Sequence, residues 1–220
     1  MLRIGKRVRA AAIGLGCLAV AGCGGSGGGQ TGGVGAGATL ADRFDAALAA
    51  EERVAFRATA EGPTRLSRLP RGGATYAGHA GFITVANERA LDRLLDRLET
   101  EDLQPEDVRW IARATLEADF ERFTVEGRFD DFIGQRNEVV DGSLRMERTF
   151  IERAPDNSAV FVGNVSGDLR DGRGPVNVVG IGTGEFVGTR AQALEGEILG
   201  SAQRPGRSPQ VLIGAFVGER

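Results

Sequence analysis

The residues with the widest chemical reach in this chain are two cysteines and one histidine: Cys17, Cys23 and His79. A thiolate can act as a nucleophile or metal ligand, and an imidazole titrates near neutral pH and readily ligates metals. Either use requires several such groups to converge. Structural zinc draws on sets of Cys and His, and here a single histidine stands far along the chain from both cysteines. A Ser–His–Asp set would have to be built on that same histidine. Asp130-Asp131 is a carboxylate pair of the kind that solvent carries on any acidic surface. Asp156-Asn157 reads as turn chemistry, because a calcium loop takes several more oxygen ligands in register. His79, between Gly78 and Ala80, reads as an outward polar residue on a strand, with a haem or metal ligand as the alternative. The expectation is no catalytic residue, no metal site and no cofactor.

Cys23 has more specific surroundings. The chain opens with Arg3, Lys6, Arg7 and Arg9 and no acid, followed by an apolar stretch from Ala10 to Ala21. A basic start, a short apolar run and small residues at its end describe a secretory signal peptide. The run is shorter than the roughly 20 residues a permanent transmembrane helix needs. At its end, Val20-Ala21-Gly22-Cys23 resembles the lipobox of bacterial lipoproteins. Cys17 lacks that context, since Gly14-Leu15-Gly16 places a large residue where a small one belongs. The resemblance implies cleavage after residue 22, lipidation of Cys23, and membrane attachment through the lipid. Gly24, in place of an aspartate, implies the outer membrane, with the face of display left open. One acyl chain binds a membrane only weakly, and stable attachment takes more than one.

The whole chain carries 27 basic and 30 acidic residues. Loss of the four basic residues of the leader leaves 23 against 30, an excess near −7. A mildly acidic protein with interspersed charges lacks the basic patch that nucleic acid requires. Residues 24 to 38 hold nine glycines in fifteen positions, a composition that buries no apolar area and behaves as a flexible tether. Its expected span is about 20 Å. No phosphate-cradling loop is read there, because the tract follows the lipobox rather than a strand.

Beyond the tether, 39–71 reads as a helical and extended segment and 72–220 as one domain. Thr39 caps a short helix that shows Leu40, Phe44, Ala47 and Leu48 on one face. Asn87 caps a second, inserted between the first two strands, with Leu91, Leu94, Leu95 and Leu98 at helical spacing. That stripe reads as packing on its own domain, with a partner surface as the alternative. Elsewhere the period is two. Trp110, Ala112, Ala114, Leu116, Ala118 and Phe120 share one face, as do Phe123, Val125, Gly127 and Phe129, and Phe161, Gly163, Val165, Gly167 and Leu169. About eight such strands, with one apolar and one polar face, belong to an antiparallel sheet closed as a barrel or stacked as a sandwich. Glycines recurring beside phenylalanines on the apolar face favour a mainly β fold with a single eight-stranded antiparallel barrel. An interior of that size is just filled by side chains.

The longest motif lies near the C-terminus: Gly184, Phe186, Gly188, Ala191, Leu194, Gly196, Ile198 and Gly200, written G-x-F-x-G-x-x-A-x-x-L-x-G-x-I-x-G. A second G-x-F-x-G follows at Gly214, Phe216 and Gly218. Upstream stand Gly73-Ala74-Thr75-Tyr76-Ala77-Gly78 with Gly81-Phe82, and Asp119-Phe120 with Phe123-Thr124-Val125 and Gly127. Residues 72 to 220 thereby resemble the β-barrel domain of the transferrin-binding protein B family, including its single-barrel solute-binding lipoproteins. The chain has room for one barrel and none for the handle domains of the two-lobed receptors. The helix between the first two strands also departs from the family pattern. No transferrin-contacting residue carries over. The resemblance implies a surface lipoprotein whose barrel loops bind an unidentified protein or a small iron-related ligand. The alternative is a structural envelope lipoprotein with no soluble ligand.

Overall fold

The computed structural model describes residues 38–220, so the leader, Cys23 and all but the last residue of the 24–38 tether lie outside the described residues. The eight strands are β1 (Gly73–Val85), β2 (Trp110–Asp119), β3 (Thr124–Gly134), β4 (Val139–Arg153), β5 (Ala159–Asp171), β6 (Gly174–Val187), β7 (Ala193–Gln203) and β8 (Gln210–Glu219). Each pairs antiparallel with its chain neighbour, and β8 returns to β1, closing an up-and-down barrel. The barrel reading of the sequence, rather than the sandwich, is the observed one.

Helix α1 (Leu40–Glu61) starts at Thr39, whose hydroxyl accepts from the Asp42 N–H at 3.2 Å while the Asp42 carboxylate accepts from the Thr39 N–H at 2.8 Å. It runs well past the face marked by Leu40 and Phe44. Its early turns pack Leu40 and Phe44 on Val108, Ile111 and Ile133; its later turns pack Ala50 and Val54 on Val187, Ala193 and Val217. These partners point outward from the barrel, so α1 lies along the wall. Arg43 fixes it through a 2.9 Å bond to the Asp131 carboxylate. Helix α2 (Glu88–Leu98), capped by Asn87, sits between β1 and β2 and buries Leu91 and Leu95 on Ile213. Leu94 and Leu98 are half-buried, so the leucine stripe is spent mainly on its own barrel.

After α1 the chain turns at Gly62 (φ 77°) and crosses the lower end of the barrel before entering β1. Pro63 bridges Val187, Arg65 bridges Ser158, and Leu66 and Leu69 pack on the interior cluster. The strap is further held by the Thr64 hydroxyl, which bonds the Gly188 carbonyl. One strand reading needs correction. Phe123 does not face inward with Val125 and Phe129; it occupies the β2–β3 turn at φ 52° and is 43% exposed. The turn, which alternation along the sequence cannot reveal, swings it out.

Candidate functional site

The motif residues are consumed in the interior. Phe161, Gly184, Gly196 and Phe216 are register partners in a row across β5 to β8. A Cβ on Gly184 would overlap the Phe161 ring, and one on Gly196 the Phe216 ring. The two rings lie over the two glycines and meet with centroids 6.4 Å apart. Phe186 touches Tyr76, Phe120 and Phe161 at 5.7, 5.5 and 5.6 Å. Gly214 leaves space for Phe82, and Gly218 for Tyr76. Gly200 lets the β6 backbone come close. Leu194 is fully buried. Gly188, at φ 90°, and Ala191 form the β6–β7 turn, where the Tyr76 hydroxyl donates to the Ala191 carbonyl at 2.7 Å. Burial pushes the Tyr76 phenol well up, so it stays a donor. These residues are structural, and together with Phe82, Phe129 and Phe132 they fill the barrel.

His79 points out from β1 and lies near α1. Burial, and next the charges of Arg43 and Arg53, hold its pKa below the usual imidazole range. The imidazole is therefore neutral at physiological pH. Among the described residues no group of three His, Cys, Asp or Glu side chains is placed to hold a metal. Glu51 on α1 is pushed up to about 7, chiefly by burial and then by the like charges of Glu195 and Glu52. A proton is therefore shared between solvent and Glu51 near neutral pH, where α1 lies against β7.

Three surfaces remain. At the lower end the strap forms a polar cleft of about 320 Å³ lined by Glu61, Thr64, Arg65, Arg68, Asp156 and Ser158. At the upper end the buried Asp171 carboxylate receives Arg109 and, at 2.7 and 2.9 Å, both terminal nitrogens of Arg204. Burial works to raise the Asp171 pKa, but Arg204, the Arg173 N–H and the charge of Arg109 outweigh it and hold it at about 2. The Arg109 guanidinium also lies over the Trp110 ring, 5.5 Å from its centroid. The sequence marked Asp171-Gly172 and Arg204-Pro205-Gly206 only as turns, and nothing along the chain links Arg109 to Asp171.

The third surface is apolar. Val162, Val179, Ile181 and Leu199 are 54%, 54%, 53% and 44% exposed on the outside of β5, β6 and β7. Ile181 is the register partner of Leu199, and Val162 lies diagonally across from Ile181. They lie close together on the outer wall of β5, β6 and β7, in addition to the rim loops to which the sequence pointed.

No protein-family model matches the chain, and no curated protein matches it. Among solved structures, one match is the vaccine antigen transferrin-binding protein B of Haemophilus parasuis Hp5, crystallised as a double mutant. The identity is 14% and the TM-score 0.38, with 71% of this chain and 27% of that chain covered. This chain thus spans about a quarter of that protein's length. The barrel assignment stands on the closed strand pairing of this chain itself.

Proposed function

We propose that this chain is a lipid-anchored outer-membrane lipoprotein whose barrel is a non-catalytic binding module for a protein partner. The observation that carries the binding role is the patch of Val162, Val179, Ile181 and Leu199. Contiguous exposed apolar residues mark interaction sites. The filled interior favours a protein over an enclosed small ligand. The wall elsewhere carries ion pairs such as Arg113–Asp130 and Arg148–Glu126, at 2.9 and 2.8 Å. A membrane-spanning barrel reverses this pattern, with an apolar belt outside and a polar lumen. That supports a barrel held beside the membrane by Cys23 and its glycine tether rather than embedded in it. The resemblance to the transferrin-binding protein B barrel agrees with a binding role.

Ile181→Glu with Leu199→Lys tests this reading, since it makes the patch polar while placing opposite charges on a register pair. Both side chains point to solvent, so the fold should persist with little change in stability. Capture from an envelope extract on the parent chain should recover a protein that the double variant loses. Equal recovery by both, or recovery by neither, contradicts a partner at this patch.

A further inference from the structure

The upper end of the barrel gathers arginines from four separate connections. Arg109 precedes β2, Arg136 lies in the β3–β4 turn, Arg173 in the β5–β6 turn, and Arg204 follows β7. Short bonds tie these connections together. The Gln135 N–H donates to the Arg109 carbonyl at 3.1 Å, and the Arg173 N–H donates to the Asp171 carboxylate at 2.9 Å. Arg204 donates to the Gly174 carbonyl at 3.1 Å. Two carboxylates take part in these bonds: Asp171, which holds Arg109 and Arg204, and Glu138, which accepts from the Arg136 N–H at 2.8 Å.

The donors outnumber their acceptors where it costs most. Arg109 Nη1 and Trp110 Nε1 are both buried and without a hydrogen-bond partner. Arg109 as a whole is only 7% exposed and Trp110 1%. An unsatisfied buried donor costs about 1–3 kcal/mol, and more when charged. The like charges also press on one another: Arg173 is held below the usual guanidinium range, first by Arg109, then by burial and by Arg136. An acceptor carrying negative charge relieves both conditions.

We propose that this arginine-lined mouth is an oxyanion site that takes a phosphate group. Its oxygens accept from Arg109 Nη1 and from the exposed Arg136 and Arg173, while Asp171 holds Arg109 and Arg204 in place. Phosphate fits better than a carboxylate. Inorganic phosphate and phosphomonoesters offer more acceptor oxygens and carry about −1.5 to −2 charge at pH 7, which suits several guanidiniums at once. The same chemistry serves a soluble phosphate or a phosphomonoester lipid headgroup such as that of phosphatidic acid. α1 begins at this end, its Leu40 N–H bonded to the Asn137 side chain of the β3–β4 turn at 2.7 Å. The first described residues therefore lie beside the β3–β4 turn that carries Arg136, and a headgroup source rests on the anchoring reading above.

The chain has a single tryptophan, Trp110, directly under Arg109, so its fluorescence reports occupancy. Inorganic phosphate added to the full chain in neutral detergent should change that emission saturably, with chloride at matched ionic strength inactive. Arg136→Gln with Arg173→Gln alters two exposed side chains, and circular dichroism should show an intact barrel. Phosphate affinity should fall about tenfold or more, the loss expected for charge-assisted bonds. Silence toward inorganic phosphate, with a response to phosphatidic acid vesicles but not to phosphatidylglycerol vesicles of matched surface charge, assigns the site to a phosphomonoester headgroup and upholds it. An equal response to chloride, an unchanged response in the double variant, or silence toward phosphate and both vesicles overturns it. A failed anchor is read separately, from the lipid on Cys23, and leaves the phosphate titration intact.

Discussion

Gly184→Ala should cost the barrel about 2–3 kcal/mol, and Phe161→Leu should return part of that loss when combined with it. The added methyl would enter the Phe161 ring and come within 2.9 Å of the Glu195 carbonyl on the neighbouring strand. The ring can be trimmed and the carbonyl cannot, so rescue should be incomplete. Phe161→Leu alone should also destabilise, because the ring packs on Phe186 and Phe216 in the filled interior. A double-mutant cycle by urea titration should give a coupling of about 1 kcal/mol or more. Additive losses would show that ring and glycine do not share one space, and the packing account of the motif would fail.

The second large effect is at the upper end. Asp171→Asn keeps the shape of the side chain but leaves Arg109 and Arg204, 8% and 15% exposed at their side chains, facing no countercharge. Removing one partner of a buried ion pair costs about 3–5 kcal/mol. A pH series supplies the sign. Unfolded, Asp171 takes its proton near the ordinary 3.8; folded, it does so only at about 2. Its stabilising contribution is therefore complete above pH 3.8 and fades as pH falls through about 2. The parent and Asp171→Asn chains should differ most at neutral pH and converge in strong acid. A constant difference down to the lowest pH would contradict the assignment.

Much of the barrel was legible because period-two alternation runs through most of the strands, changing phase in β3 between Phe129 and Phe132 and in β4 between Met146 and Ile151, and because glycine inside a strand needs a reason to be there. Trp110 to Phe120 and Phe161 to Leu169 face as their spacing says. The leucine helix was legible too, because its stripe matches a wall it can cover. Three things were not. The length of α1 was hidden because its later turns dock through small residues such as Ala50 and Val54, which no strong amphipathic pattern advertises. The strap below the barrel has no periodicity, being held by isolated bridges and hydrogen bonds to distant residues. The arginine mouth joins positions 109, 136, 173 and 204, which only closure of the barrel brings together. The apolar patch was visible residue by residue but belonged to no motif, since Ile181 and Leu199 become neighbours only through the β6–β7 register.

The proposed function depends on Cys23, whose lipidation would turn a closed barrel into a displayed one. Mass analysis of the N-terminal peptide from the mature protein in membranes tests it most directly. The account predicts a chain that begins at Cys23, carries a diacylglycerol thioether there, and leaves the membrane fraction when Cys23→Ala is introduced. A mature chain that begins elsewhere, or one with a free thiol at Cys23 that remains membrane-bound, would contradict it.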